Sequence, residues 1–145
     1  IEEVRSKTQS SSVHLTVVPE QFKESVRACD AAIIASGTAS LQTGLALKPF
    51  VIVYRVSPLT FMIARLLAET KFIGMVNVLA DKEIVHELVQ NEFTVRNITD
   101  HAVRLLQDHD YRGTMIRELK KIGKKLGEPG AYKRAAKCIE DFIHL

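Results

Sequence analysis

Residues 30–65 read DAAIIASGTASLQTGLALKPFVIVYRVSPLTFMIAR, with two short apolar runs separated by small and helix-forming residues. Ala31 to Ala35 is an apolar run that suits a buried strand, and Phe50 to Tyr54 is a second run, rich in β-branched residues. The segment between them, after Ser36-Gly37-Thr38, has the apolar spacing of a helix. A strand, a helix and a parallel strand within about thirty residues form a βαβ unit. The sequence therefore predicts the α/β class, with a Rossmann-like parallel sheet and flanking helices.

The loop of small residues at Ser36-Gly37-Thr38 joins the first strand to the helix. In an open parallel sheet this loop lies at the carboxyl edge, where ligands bind, and the free N–H groups at a helix start favour anions. The same residues also suit a tight turn, in which Thr38 or Ser40 only caps the helix. The pattern is less specific than a Walker loop. On the residues alone, phosphate binding and a plain turn both stay open.

The residues around this loop resemble one known family. The segment ASGTASLQTGLALKPFVIVYRVSPLTFMIARLL is similar to the nucleotide-sugar-binding half of lipid-A-disaccharide synthases, and the similarity continues through residues 71–77 and 83–90. Its most specific part is Tyr54-Arg55-x-x-Pro58-x-Thr60 followed by Ala64-Arg65. The strong resemblance covers about half of the chain. It implies a GT-B-type glycosyltransferase of lipid A and lipopolysaccharide biosynthesis in Gram-negative bacteria.

The resemblance also implies substrates. The family joins a UDP-activated diacylglucosamine donor to an acylated sugar phosphate acceptor, diacylglucosamine 1-phosphate, and releases UDP. This chain would be part of the carboxyl-terminal, UDP-sugar-binding half, with an α/β part at 1–108 and carboxyl-terminal helices at 109–145. If the resemblance holds, we expect the acceptor domain to be missing from this sequence, together with the first strand of the second domain and its glycine-serine-arginine loop. We therefore expect this portion alone to be inactive, and we assign no catalytic residue, because the general base would lie in the acceptor domain.

The resemblance assigns substrate-binding roles residue by residue. Ser36, Gly37 and Thr38 would bring backbone N–H groups and a hydroxyl to the UDP diphosphate, where such donors stabilise charge on the leaving group. Arg55, at the end of its strand, would add a positive charge nearby. Asn77 matches an asparagine of the family's donor loop.

Some positions depart from the family pattern. Gln42 stands where family members carry a glutamate that binds the ribose hydroxyls. An amide still accepts a hydrogen bond but lacks the charge-assisted strength of a carboxylate. Val76 and Asp81 stand where Pro and Gly are usual. These departures leave two alternatives open: another GT-B UDP-sugar transferase or epimerase, and a non-catalytic nucleotide-binding or assembly module.

Composition narrows the class of protein. The chain has 145 residues, 46% of them hydrophobic, and a formal net charge of +3. The length and hydrophobic content fit one domain with a core. The net positive charge is too small to indicate nucleic-acid binding. Cys29 and Cys138 lack metal-ligand spacing and are expected to be reduced. Asp108-His109-Asp110 has the Asp-x-Asp spacing of metal-dependent sugar transferases, but two carboxylates are too few ligands. We predict neither a metal nor a cofactor.

Membrane contact is expected at the surface only. No signal peptide and no apolar run of about eighteen residues occurs, so we expect a cytoplasmic protein, attached peripherally to the inner membrane by its acylated substrates. Ser57-Pro58 should start a helix over 59–68 that is apolar almost all round and expected to be buried, with insertion into the bilayer surface as the alternative. The lysine-rich segment 120–137 is either a solvated face or a site for anionic headgroups.

The remaining pattern predicts the other elements. Strands are expected at 13–18 and 72–75, and helices from Pro19, at 84–90, at 98–106 with Asn97 or Thr99 as the cap, at 111–126 and at 132–143. A loop is expected at 74–81. The last helix carries one apolar stripe, made of Tyr132, Ala135, Ile139, Phe142 and Ile143. Such a stripe usually marks an interface, so we expect a homodimer through 131–143.

Overall fold

The computed structural model describes residues 14–67, 70–128 and 130–143. A parallel sheet in the order β1-β2-β3 is formed by β1 Ala32–Ala35, β2 Phe50–Tyr54 and β3 Glu87–Val89. The helices are α1 Phe22–Ala28, α2 Thr38–Leu45, α3 Pro58–Leu67, α4 Met75–Ala80, α5 Val95–Gln107, α6 His109–Lys125 and α7 Ala131–Ile143, with a 3-10 turn at Gln90–Glu92. The predicted α/β class, with a parallel sheet, flanking helices and a helical carboxyl-terminal segment, is confirmed.

The βαβ unit of β1, α2 and β2 forms as predicted. In the ladder Ile33 pairs with Val51 and Ile34 with Ile52. Strand β2 is the central strand, and helices pack on the sheet. The side chains of β2 therefore fill the core, beginning with the buried Phe50 at the start of the strand. The core cluster consists of Ile34, Phe50, Val51, Ile52, Val76, Ile84, Val85, Leu88, Leu105, Met115, Leu119 and Ile122.

Two helices pack closely against one glycine of α2. A Cβ atom built on Gly44 would lie 2.8 Å from Val76 Cγ1 of α4 and 3.2 Å from Leu119 Cδ2 of α6. This close approach brings the helix that follows the Ser36 loop tightly against its neighbours. The position of α2, and with it the amino end of that helix, is therefore fixed by packing.

The predicted helix at 84–90 and the predicted strand at 72–75 are both wrong. Glu87–Val89 is the third strand, and Ile52, Val53 and Tyr54 of β2 pair with it. The buried side chains of Ile84, Val85 and Leu88 have a spacing that also fits a helix, and pairing with the exposed edge of β2 decides in favour of a strand. Residues 73 and 74 are bends, and the predicted loop at 74–81 is also wrong, because Met75–Ala80 forms α4.

The amino-terminal expectations are partly wrong. Residues 14–18 have no regular structure instead of forming a strand, and Val13 lies outside the described residues. The helix begins at Phe22 and not at Pro19, because Glu20 has a positive φ of 59° that interrupts a helical path.

Side-chain caps define three helix starts. Ser57 Oγ accepts the N–H of Thr60 at 3.1 Å, as predicted. The cap of α5 is Thr94, whose side chain accepts from the N–H of Asn97 at 3.2 Å, so the predicted caps Asn97 and Thr99 are wrong. Asp108 accepts the N–H of Tyr111 at 2.9 Å and caps α6. The first aspartate of the Asp-x-Asp sequence therefore serves as a helix cap.

Helix α3 is exposed, so its predicted burial is wrong. Leu59, Met62 and Ile63 are exposed, and Leu66 is 79% exposed. The helix leaves the carboxyl end of β2 and makes no extensive contact with a strand or helix in the described part of the chain. The exposed apolar side chains of α3 therefore form a surface that no other described residue covers. Within 14–67, 70–128 and 130–143, no helix has the length and apolarity needed to cross a membrane.

A histidine pair gives the fold an expected pH dependence. His101 of α5 stacks on His86 with 4.1 Å between ring centroids. Burial, then the charges of His86 and Arg104, hold the pKa of His101 below its ordinary value of 6.5, although Asp100 and Glu83 oppose this. The folded state resists protonation of His101, so the contribution of this residue to the free energy of unfolding should be constant above about pH 6.5 and fall as the pH drops through the lower folded pKa.

Urea unfolding between pH 7.5 and 5 measures this dependence. His101→Gln should reduce the slope of the free energy of unfolding against pH. His109→Gln, on the exposed first turn of α6 and outside the stacked pair, is the control and should leave this slope unchanged. A slope that is the same in His101→Gln and in the wild type would contradict the prediction.

Candidate functional site

The carboxyl ends of the three strands form one edge of the sheet. Ser36 follows β1, Arg55 follows β2 and Gln90 follows β3. The N–H of Ser36 donates to the carbonyl of Val53 at 3.2 Å, so the first loop starts while still paired to β2. The sequence correctly predicted that the Ser36 loop and Arg55 share this edge, where open α/β sheets bind ligands.

The loop from Ser36 to Thr38 turns sharply at Gly37. Gly37 has φ 141° and ψ −164°, a conformation with positive φ that disfavours any side chain. A Cβ atom there would meet nothing within 4 Å, so glycine is needed for the backbone and not for space. The turn directs the chain into α2 with Gly37 as the N-cap residue.

The first turn of α2 has no side-chain cap. Ser40 Oγ donates to the carbonyl of Gly37 at 2.7 Å, so this buried hydroxyl points back along the loop and accepts nothing from the helix start. The interpretation of Thr38 or Ser40 as a cap is therefore wrong. The amides of Thr38 and Ala39 lie at the helix start, where no carbonyl of a preceding turn reaches them. Such amides are suited to an anion.

Ser36 connects the loop to the segment before α4. Its Oγ donates to the carbonyl of Ile73 at 3.1 Å. The N–H groups of Ile73 and Gly74 donate to Glu87 Oε2 and Oε1 at 2.8 and 2.9 Å. A continuous set of hydrogen bonds therefore runs from the end of β1 to the start of β3.

Asn77 is fully buried and uses all of its hydrogen-bonding capacity within the chain. Its Oδ1 accepts the N–H groups of Ile84 and Val85 at 2.8 and 2.9 Å. Its Nδ2 donates to the carbonyl of Val85 at 2.6 Å and to Glu87 Oε1 at 2.7 Å. The side chain holds the segment that enters β3 and presents no group to solvent. Any effect of Asn77 on a ligand would therefore act through the position of that segment.

Gln42 and Arg55 are both exposed. Gln42 lies one helical turn after Thr38, so it shares a face of α2 with the loop. Arg55 directly follows β2 at the same edge of the sheet. Neither side chain is buried, and both are accessible to a ligand seated on the Ser36 loop.

A cavity of about 230 Å³ is lined in part by Ile73, whose carbonyl accepts Ser36 Oγ. Its wall is largely apolar, with a guanidinium and hydroxyl groups, and consists of Tyr54, Val56, Thr60, Phe61, Arg65, Thr70, Phe72 and Ile73. Three of these, Tyr54, Thr60 and Arg65, come from the most specific part of the family resemblance. Arg65 also donates to the carbonyl of Lys71 at 3.1 Å. An apolar wall with few polar groups suits the organic part of a ligand.

Two residues that hold the backbone next to this edge were missed in the sequence, Glu87 and Gln90. Glu87 accepts the three donors described above. The side chain of Gln90 accepts the N–H of Val56 at 2.9 Å and donates to its carbonyl at 3.1 Å, which fixes the backbone beside Arg55. Both were assigned to a helix at 84–90. The signal that could have found them is their presence in the second block of resemblance, at 83–90.

The chain is similar in sequence to known proteins of one family. The sequence model of a family described as "Lipid-A-disaccharide synthetase" matches residues 1–142. The lipid-A-disaccharide synthase of Myxococcus xanthus (strain DK1622) is 37% identical over 142 residues, which are 98% of this chain and 37% of that protein. The synthase of Persephonella marina (strain DSM 14350 / EX-H1) is 40% identical over 108 residues, 74% of this chain and 28% of that protein.

A third relative matches to a similar degree. The lipid-A-disaccharide synthase of Trichlorobacter lovleyi (strain ATCC BAA-1151 / DSM 17278 / SZ) is 37% identical over 129 residues, 89% of this chain and 34% of that protein. The chain thus spans 28–37% of the length of these three relatives. The family match covers nearly every residue, including the whole strand edge that carries Ser36, Arg55 and Gln90. The chain belongs to the lipid-A-disaccharide synthetase family.

Proposed function

We propose that this chain binds the UDP part of a UDP-activated, acylated glucosamine. The observation that carries the proposal is the uncapped start of α2 at the carboxyl edge of the sheet, next to the Gly37 turn. The amides of Thr38 and Ala39 would donate to the diphosphate, and the exposed Arg55 would supply a positive charge. The exposed Gln42 would reach the ribose hydroxyls from the same face of α2.

The activity served by this site is transfer of the acylated glucosamine to an acylated sugar phosphate acceptor, with release of UDP. As the glycosidic bond breaks, negative charge grows on the diphosphate. Donors that are already aligned at the helix start stabilise this charge without reorganising. The role of this chain in the reaction is therefore to hold and stabilise the leaving group.

Contact with a membrane surface is a second part of the proposal. The exposed apolar side chains of α3 favour contact with lipid, and the acylated nature of the proposed substrates favours it as well. The lysines of α6, at positions 120, 121, 124 and 125, offer charge to anionic headgroups. Lys121 pairs with Glu118 at 2.6 Å, and Lys125 donates to the carbonyl of Leu79 at 2.7 Å, which leaves Lys120 and Lys124 as the better candidates. We place the protein at the cytoplasmic side of the inner membrane.

A homodimer through 131–143 completes the proposed partners. Every residue of α7 is exposed. Within the described residues, nothing covers its apolar stripe of Tyr132, Ala135, Ile139, Phe142 and Ile143. An exposed stripe of this kind on one helix is well suited to pairing with a second copy.

A non-catalytic nucleotide-binding module is the second candidate function. The observation that favours it is Gln42, an amide in the position where the family has a carboxylate for ribose. Such a module would still bind UDP but would not turn over a donor. The two candidates therefore share the binding experiment and differ in whether a donor is turned over.

Titration of the chain with UDP, followed by the amide NMR signals, tests the proposal. We expect shifts at residues 36–42 and an affinity in roughly the millimolar range, about 4 kcal/mol. Gln42→Glu should bind about fivefold more tightly, because a charged acceptor adds about 1 kcal/mol to a hydrogen bond. Gln107→Glu, an equal charge change at an exposed position on α5, is the control and should not alter affinity.

Uridine without phosphates separates the parts of the ligand. It should cause smaller shifts at 36–38 than UDP, because it lacks the group that the helix start is proposed to hold. An absence of UDP-dependent shifts at 36–42 at the solubility limit would refute the site. Unchanged affinity in Gln42→Glu, together with binding by the wild type, would refute the ribose contact.

A further inference from the structure

Glu87 places a carboxylate near the Ser36 loop, where an anion is proposed to bind, and is linked to it through Ile73. It is the first residue of β3, pairs with Ile52 of the central strand and is half-buried. A negative charge in this position would repel a diphosphate unless the charge were compensated. We therefore expect Glu87 to have a role other than direct contact with the ligand.

The carboxylate is compensated by three donors from the chain. Oε2 accepts the N–H of Ile73 at 2.8 Å, and Oε1 accepts the N–H of Gly74 at 2.9 Å and Nδ2 of Asn77 at 2.7 Å. Hydrogen bonds to an ionised acceptor are about twice as strong as neutral ones. Glu87 thus holds the bend at residues 73–74 more firmly than a neutral side chain would.

The bend has little freedom to move away from this anchor. A Cβ atom on Gly74 would collide with Ile52 Cδ1, so the backbone lies directly on the central strand. On its other side the bend reaches the candidate site, because the carbonyl of Ile73 accepts Ser36 Oγ at 3.1 Å. The carboxylate is therefore two hydrogen bonds away from the first residue of the Ser36 loop.

We propose that Glu87 is a positioning residue for phosphate binding. Its carboxylate fixes the bend at 73–74, the carbonyl of Ile73 orients the Ser36 hydroxyl, and this hydroxyl holds the loop that leads into α2. Donors that are held in place before a ligand arrives bind it with less loss of conformational freedom. The inference rests on the proposed UDP site for its effect on affinity, but its effect on the loop can be measured without ligand.

Glu87→Gln is the first test variant. It keeps the shape of the side chain but retains one acceptor oxygen, so its NH₂ group must face one of the two N–H donors of the bend. We expect UDP affinity to fall about tenfold. Glu87→Asp keeps the charge but withdraws the carboxylate from the bend, and we expect a comparable loss. Glu92→Gln, an equal charge change at an exposed position of the 3-10 turn, should bind UDP as the wild type does.

A double-mutant cycle with Ser36→Ala separates positioning from general destabilisation. If Glu87 acts through Ile73 and Ser36, then Glu87→Gln should weaken UDP binding less than about twofold in the Ser36→Ala background. A merely structural effect would weaken binding by the same factor in both backgrounds, and that result would overturn the proposal.

The ligand-free spectrum gives an independent reading. Glu87→Gln should shift the amide signals of residues 36–38, while Glu92→Gln should leave them in place. Unmoved signals at 36–38 in folded Glu87→Gln would overturn the positioning role whether or not UDP binds. If the wild type fails to bind UDP but these signals move, the proposed function fails and the control of the loop by Glu87 stands.

Discussion

Asn77→Ala is expected to lower the free energy of unfolding by about 3–5 kcal/mol, an unusually large loss for one polar side chain. The substitution removes the partner of three backbone groups at once: the N–H groups of Ile84 and Val85 and the carbonyl of Val85. Each backbone group left buried without a partner costs about 1–3 kcal/mol. Ile84 and Val85 are both buried, so water cannot easily replace the lost bonds.

Urea unfolding of the two proteins, compared at one pH, measures this loss. Asn91→Ala is the matched control, because Asn91 is exposed in the 3-10 turn, and it should change the free energy of unfolding by less than about 0.5 kcal/mol. A loss below about 1 kcal/mol for Asn77→Ala would mean that the segment entering β3 does not depend on these bonds.

The same residue explains what the sequence reveals about the site and what it does not. Asn77 was predicted as a donor-loop residue because it matches the family there. Its hydrogen-bond partners lie seven to ten residues further along the chain, in a segment that was predicted to be a helix. Because that segment in fact leads into a strand, the side-chain amide of Asn77 holds its backbone in place. The family resemblance found the important residue, and only the fold shows how it acts.

The first half of the fold was predictable because its signals are local. Two apolar runs, a loop of small residues between them and helical spacing after it determine β1, α2 and β2 without knowledge of distant contacts. The position of Ser36 then follows, since a loop after a buried parallel strand must lie at the carboxyl edge. These elements also contain most of the candidate site.

The third strand was not predictable in the same way. It has three residues, and its identity depends on the free edge of β2, where Ile52 pairs with Glu87. A short apolar segment without a long-range partner cannot be assigned by its period alone. This error concealed Glu87 and Gln90, because their roles depend on their positions at the first residue of β3 and directly after its last.

The two apolar helices illustrate a further limit. Composition predicted correctly that α3 and α7 carry apolar surface, but it does not say what covers that surface. The expected burial of α3 was wrong, whereas the stripe of α7 is exposed, as an interface requires. Burial depends on a partner, and the identity of the partner has no signature in the helix itself.

Wild-type chain is expected to sediment as a dimer, and Ile139→Asp combined with Phe142→Asp should weaken the dimer more than about a hundredfold. Phe142 is 79% exposed and Ile139 is 60% exposed. Burying such side chains in a pairing of two α7 helices would contribute about 1.5–3 kcal/mol each per copy. Replacing them with aspartate removes this gain and places charges against an apolar partner, which costs further free energy.

Sedimentation velocity over a range of concentrations measures the dimer–monomer equilibrium. Lys133→Asp combined with Lys137→Asp is the control, because it makes a larger change of charge outside the stripe while leaving the stripe intact. If the stripe drives pairing, the control should remain a dimer under conditions in which Ile139→Asp with Phe142→Asp is monomeric. Equal dissociation of both variants would indicate that charge, and not the apolar stripe, determines assembly. A wild-type chain that stays monomeric at several hundred micromolar (roughly 5 kcal/mol or less of association free energy) would rule out the α7 interface.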